Sequence, residues 1–203
     1  MSARPLVARV ITPLVERLAR SGANPDVITV IGTLGAVAGA VGLIGTGQLF
    51  WGAFTVTVFV LLDMLDGALA RALGGGSVFG AVLDSTGDRA ADAAIFSALV
   101  WWFSGAGDNR LLVLLALICL VLGILTSYIK ARAEGVGLSC DVGVVERTER
   151  LILVLVGTGF TGLGVPYALH VALWVLLVSS AITVAQRFLV VRRTGRGPAA
   201  PAA

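Results

Sequence analysis

Four aspartates, Asp63, Asp66, Asp84 and Asp88, stand in an otherwise apolar part of this chain. Asp63, Asp66, Gly67, Ala70 and Arg71 follow i, i+3, i+4, i+7, i+8 spacing, which is one stripe of a helix. Gly80, Asp84 and Asp88 recur at i+4 and form a second stripe. The turn Gly74-Gly75-Gly76-Ser77 between them predicts antiparallel neighbours whose stripes face each other. Gly67 and Gly80 would then clear side chains where the helices, or a ligand, come close. An aspartate at mid-membrane costs ~2.5–3.5 kcal/mol, and crowded carboxylates repel one another. Arg71 and Arg89 are too few to neutralise four acids. A pair of divalent cations removes the difficulty, and all-oxygen ligation favours Mg²⁺ or Mn²⁺. Two metals held by shared carboxylates suit phosphoryl chemistry, because they stabilise both the attacking and the leaving oxygen. Ion pairing near an interface is the plainer alternative. It accounts for a single acid more readily than for four on two adjacent helices.

The elements that must position these residues are helices in a membrane. The chain has 203 residues, of which 57% are hydrophobic, and a mean hydropathy of +0.96, too apolar for one soluble domain. Six runs of near-spanning length fall at about 27–47, 50–72, 79–104, 110–132, 147–166 and 168–191. The expected fold is an all-α membrane protein with six transmembrane helices in one domain over 23–193. An N-terminal amphipathic surface helix over 1–22 precedes it, and a disordered cytoplasmic tail over 194–203 follows. Arg4, Arg9, Arg17 and Arg20 interrupt the N-terminus, so no cleavable signal is apparent. Leu6, Val7, Val10, Ile11, Leu14 and Leu18 recur there at helical spacing, although a frayed tail would serve as well. Every Lys and Arg except Arg110 falls on one side of this layout. That bias places both termini in the cytoplasm, and the pI of 9.4 needs no nucleic-acid partner.

Asn24 with Pro25 is a helix start, and Ser77 could cap the third span. Small residues crowd the first span from Gly32 to Gly42, which favours close packing within the chain or across a dimer. Cys119 and Cys140 do not look like a disulfide pair, and no zinc spacing exists. His170 reads as a polar interfacial residue.

The stretch from Asp63 to Asp88 satisfies the pattern D-x2-D-G-x2-A-R-x8-G-x3-D-x3-D at every fixed position. It resembles the CDP-alcohol phosphotransferases, and the likeness extends to the six-span layout. The resemblance implies a homodimer with a cavity open to the cytosol of a bacterial plasma membrane. It implies one metal on Asp63, Asp66 and Asp84, and another on Asp63, Asp84 and Asp88. Gly67, Ala70, Arg71 and Ser77 would contact the CDP-lipid, together with Asp26, Val27, Ile28 and Thr29. Asp88 would accept the proton of the incoming hydroxyl, though a metal-bound carboxylate is a weak base. Asp92 continues the stripe outside the pattern and suits an ion pair with Arg89 or a supporting role.

For the acceptor, Lys130, Arg132, Arg150 and Arg187 converge on the inside face and suit a phosphate, with Arg147 a further candidate. Topological anchoring explains Arg192, Arg193 and Arg196 more comfortably than it explains Lys130 and Arg150. The stretches Tyr128–Glu134 and Asp141–Arg150 resemble the bacterial phosphatidylinositol phosphate synthases of this family. That likeness implies transfer from CDP-diacylglycerol to inositol 1-phosphate. Glycerol 3-phosphate, the acceptor of phosphatidylglycerophosphate synthases, would also want cations. A cation or proton carrier would instead spread its acids across the bilayer, whereas these cluster between Asp63 and Asp92.

Overall fold

The computed structural model describes residues 17, 19, 20 and 22–195. The surface helix expected over 1–22 and the tail beyond Gly195 lie largely outside the described residues. Six long helices and no strand are found among those described. They are α1 (Pro25–Gly39, prolonged by a π-helical turn at Ala40–Ile44), α2 (Leu49–Ala72), α3 (Val78–Ser104), α4 (Arg110–Glu134), α5 (Arg147–Gly162) and α6 (Ala168–Thr194).

The helix boundaries follow local chemistry. Asn24 caps α1 by accepting the Asp26 amide at 2.9 Å, with Pro25 opening the first turn. α2 stops where Gly74 and Gly75 adopt φ of 100° and 124°, in the region that favours glycine. Ser77 caps α3 by accepting the Gly80 amide at 2.8 Å. At the start of α5, Glu146 and Glu149 form a capping box in which the Glu146 amide bonds Glu149 Oε2 at 3.0 Å.

Four of the six, α1 with its π turn, α2, α4 and α6, are long and apolar enough to cross a membrane. α3 carries Asp84, Asp88, Arg89 and Asp92, and α5 has 16 residues with Arg147, Glu149 and Arg150 in its first turn. Charge along its first half sets α3 apart from the other four, and short length sets α5 apart. Many outward side chains, Trp51, Phe54, Trp101 and Phe188 among them, are exposed apolar groups, as expected of a lipid-facing surface.

The expectation that α2 and α3 pack side by side is not met. Both pack on α1 and scarcely on each other. The small residues of α1 are the reason. A Cβ built on Gly32 would lie 3.0 Å from Asp63 Cβ, and one on Gly87 of α3 would lie 2.4 Å from Thr33 Oγ1. Gly35 and Gly39 approach Phe59 and Thr55 in the same way. Most of the small-residue stripe is therefore packing within the chain. α4 lies against α3 and α6, and α5 against α2 and α6. A core of Ile44, Val56, Ile95, Leu99, Leu115, Val154 and Leu173 fills the interior away from the charged end.

The long connection from Gly135 to Glu146 is tied down rather than slack. Thr183 Oγ1 accepts the Val144 and Val145 amides at 3.1 and 3.3 Å, and Arg187 Nε donates to Val142 O at 2.9 Å. Cys140, within the connection, is buried beside Ile129 and Ala133, and Cys119 is buried in the main core. His170 pairs with Asn109 at 3.1 Å, ahead of α4.

Candidate metal and substrate site

Three of the four aspartates meet. Asp63 and Asp66 come from α2 and Asp84 from α3, and each offers a carboxylate oxygen within 4.8 Å of the others. Asp66 is fixed on both oxygens: the Thr29 hydroxyl donates to Oδ2 and the Gly67 amide to Oδ1. Asp63 is buried against Gly32, and its Oδ1 has no hydrogen-bond partner among the described residues. A buried carboxylate oxygen without a partner, next to two more carboxylates, is costly unless a cation completes it. An all-oxygen group of this kind fits a hard divalent ion. The cluster therefore passes the test that the sequence pattern sets for a metal site.

Asp88 does not join that group. One turn beyond Asp84 on α3, it lies 2.6 Å from Arg147 Nη1 and 3.7 Å from Arg89. Asp92, a further turn along, pairs with Arg150 at 3.3 Å, Arg147 at 3.4 Å and Arg89 at 3.7 Å. Its ion pair with Arg89 was expected, and two more arginines share it.

Two cavities flank the carboxylates. The larger, about 600 Å³, is lined by Asp66 and Asp84 together with Asp26, Thr29, Gly67, Ala70, Arg71 and Ser77. Val27 and Ile28 do not line it. Val27 is exposed, and Ile28 packs on the small cluster of Leu65 and Leu69. On a helix only positions 26 and 29 share the inward face. Asn24, Pro25, Gly75, Gly76 and Ala81 complete the wall. Gly67 is open where a side chain would stand, since among the described residues a Cβ there would meet only Arg71 Nη1, at 3.5 Å. Gly80 instead makes room for Asp26, whose Oδ1 would lie 2.9 Å from its Cβ.

The smaller cavity, about 350 Å³, is lined by Asp88 and by Lys130, Arg150 and Arg187, joined by Arg89 and Arg147. Arg132 is exposed and does not line it, because two residues along a helix turn the side chain to the far side. Arg150 is buried and donates to Thr126 Oγ1 at 2.6 Å and Asp92 Oδ2 at 3.3 Å. Arg187 is held by Val142 O and Thr126 O. Lys130 reaches Asp141 Oδ1 at 2.5 Å and Glu134 at 3.8 Å. The Lys130 ammonium holds the exposed Asp141 carboxyl below the usual carboxylate range, chiefly through that hydrogen bond. Arg89 was overlooked as a wall residue. It stands one turn beyond Ser85 on α3, and both line this cavity.

A helical chain with four membrane-length spans, a cluster of three carboxylates and adjoining cavities, one of them rich in cations, has the parts of a metal-dependent membrane transferase. The chain belongs to the CDP-alcohol phosphatidyltransferase family, whose model matches residues 23–185. It is 50% identical over 190 residues to the phosphatidylinositol phosphate synthase of Mycobacteroides abscessus, covering 93% of this chain and 86% of that one. Its counterpart in Mycobacterium tuberculosis is 52% identical over 187 residues, covering 91% and 86%. The crystal structure of the Mycobacterium tuberculosis synthase with CDP-DAG bound superposes with a TM-score of 0.85 at 51% identity, covering 91% of this chain and 94% of that one. The same synthase in complex with manganese and citrate superposes with a TM-score of 0.84 at 51% identity, covering 90% and 88%.

Proposed function

We propose that this protein transfers the phosphatidyl group of CDP-diacylglycerol to inositol 1-phosphate, releasing CMP and forming phosphatidylinositol phosphate. The observation that carries this reading is the position of the carboxylates. Asp84 faces the larger cavity and Asp88 the cation-lined one, a single turn apart on α3. The reading is supported by relatives near 50% identity that bear the synthase name.

In this account the larger cavity takes the cytidine diphosphate. Arg71 faces the diphosphate, Asp26, Ala70 and Ser77 form the wall, and Gly67 leaves space for the ligand. Lys130, Arg150 and Arg187 hold the acceptor's phosphate, and Asp92 with Thr126 fixes the Arg150 guanidinium in place. Two Mg²⁺ ions, replaceable by Mn²⁺, would be held by Asp63, Asp66, Asp84 and Asp88 and would supply positive charge to the phosphoryl oxygens. Holding both reactants in adjoining cavities lets the acceptor oxygen approach the lipid-linked phosphorus in line. Asp88 stands on the acceptor's side and takes the hydroxyl proton. The new P–O bond forms as the bond to the CMP oxygen breaks, and CMP leaves through the larger cavity.

All six helices cross the plasma membrane, with both termini and the two cavities on the cytoplasmic side, where Arg71, Arg89, Lys130, Arg147 and Arg187 lie. Residues 23–193 form one domain, and the working unit is a homodimer. The deciding experiment is an acceptor panel. Purified protein with CDP-diacylglycerol and Mg²⁺ releases CMP with inositol 1-phosphate. CMP release with glycerol 3-phosphate alone would assign the acceptor to the other branch.

A further inference from the structure

Among the arginines that line the cation-rich cavity, Arg147 alone is shared with an aspartate of the sequence pattern at close range. Its Nη1 lies 2.6 Å from Asp88 Oδ1. That contact lacks hydrogen-bond alignment, since Asp88 Oδ1 is buried and has no hydrogen-bond partner among the described residues. The Arg147 Nε is likewise buried and unaligned, 3.4 Å from Asp92 Oδ1. Arg150 and Arg187 differ. Both are fixed by directed hydrogen bonds, to Thr126 and Asp92 in one case and to Val142 and Thr126 in the other. Arg147 is thus held by charge rather than by geometry.

Withdrawing Arg147 leaves Asp92 neutralised by Arg150 at 3.3 Å and Arg89 at 3.7 Å. Asp88 loses its 2.6 Å partner and keeps Arg89 at 3.7 Å, a cation it shares with Asp92. Asp88 is also one turn from Asp84, so a divalent charge at the cluster attracts Asp88 and repels the guanidinium. The backbone of Arg147 stays fixed, because it is the first residue of α5 behind the Glu146–Glu149 capping box. Its side chain already lines the cavity with Lys130, Arg150 and Arg187.

We propose that Arg147 is an exchangeable counter-ion, paired with Asp88 when the carboxylate cluster lacks a divalent cation and passed to the acceptor's phosphate when the cluster holds one. Metal occupancy and phosphate binding then strengthen each other, by the reciprocity that linkage requires. Arg147 is a substrate-binding residue in this scheme, available to the phosphate only when Asp88 releases it. The scheme rests on the functional reading above for the identity of the anion.

The test uses the purified full chain in lipid nanodiscs, with inorganic phosphate as probe and calorimetry in the absence and presence of saturating Mg²⁺. In the wild type, Mg²⁺ tightens phosphate binding by about tenfold, within the usual range of coupling between sites. In Arg147→Gln the Mg²⁺ effect shrinks to about twofold or less. Asp88→Asn raises phosphate affinity without Mg²⁺, and that gain disappears in the double variant with Arg147→Gln. An undiminished Mg²⁺ effect in Arg147→Gln, or a gain from Asp88→Asn that survives in the double variant, overturns the exchange. Should Arg147→Gln not fold, unchanged Mg²⁺-free phosphate affinity in Asp88→Asn overturns it alone. CMP release from CDP-diacylglycerol and inositol 1-phosphate is measured on the same wild-type sample. Turnover without coupling sinks only the exchange, while absence of turnover sinks the functional reading.

Discussion

The Thr29 hydroxyl of α1 donates to the Asp66 carboxylate of α2, so the helix that separates the two halves of the sequence pattern also orients one of its acids. Thr29→Val keeps the shape and removes the donor. Groups that orient metal-holding side chains are typically worth 10–100-fold in metal affinity or activity. The variant is expected to bind Mn²⁺ about tenfold more weakly by EPR titration, with little change in melting temperature.

Gly32 presses its backbone against Asp63, and an added Cβ would lie 3.0 Å from Asp63 Cβ and 3.1 Å from its Oδ1. Gly32→Val is therefore expected to displace Asp63 and to lower stability by about 1–3 kcal/mol, as overpacking does, with a larger proportional loss of CMP release. Among the described residues, nothing lies within 4 Å of the Gly42 Cβ position. Gly42→Ala should leave both melting temperature and turnover near wild type. Equal effects from the two substitutions would show that α1 does not set the width of the carboxylate cluster.

Arg150 and Arg132 were equivalent candidates by charge, but only Arg150 lines the cation-rich cavity. Arg150→Ala is expected to raise the KM for inositol 1-phosphate by about tenfold or more, the loss of a charge-assisted bond, while the donor KM moves little. It also leaves Asp92 with one partner fewer, and breaking a buried pair commonly costs about 3–5 kcal/mol. Arg132→Ala should change neither KM by more than about twofold, as expected for an exposed side chain. Steady-state kinetics with both substrates varied would separate the two cases.

Much of this was legible in the residues. The helices fell where apolar runs were bounded by caps, and Asn24, Pro25 and Ser77 do at the helix starts what their chemistry suggests. The meeting of Asp63, Asp66 and Asp84 followed from two helical stripes joined by a glycine turn. The insertion of α1 between those helices did not. It depends on which glycine faces which side chain, Gly32 on Asp63 and Gly87 on Thr33, and one sequence records no such pairing. The Arg147–Asp88 contact was hidden for the same reason, since it joins residues distant in the chain. Val27, Ile28 and Arg132 are a different matter. Helical periodicity alone would have set them off the inward faces on which Asp26, Thr29 and Lys130 stand.

Divalent cations gathered by the Asp63–Asp66–Asp84 cluster are the centre of the account, and CMP release measured in Mg²⁺ and in excess EDTA addresses them directly. Wild-type protein given CDP-diacylglycerol and inositol 1-phosphate should turn over in Mg²⁺ and stop in EDTA. Asp84→Asn, still folded by its melting curve, should lose roughly a hundredfold or more, since even supporting residues at metal sites cost up to that much. Turnover that persists in EDTA, or near-wild-type activity in Asp84→Asn, would contradict it.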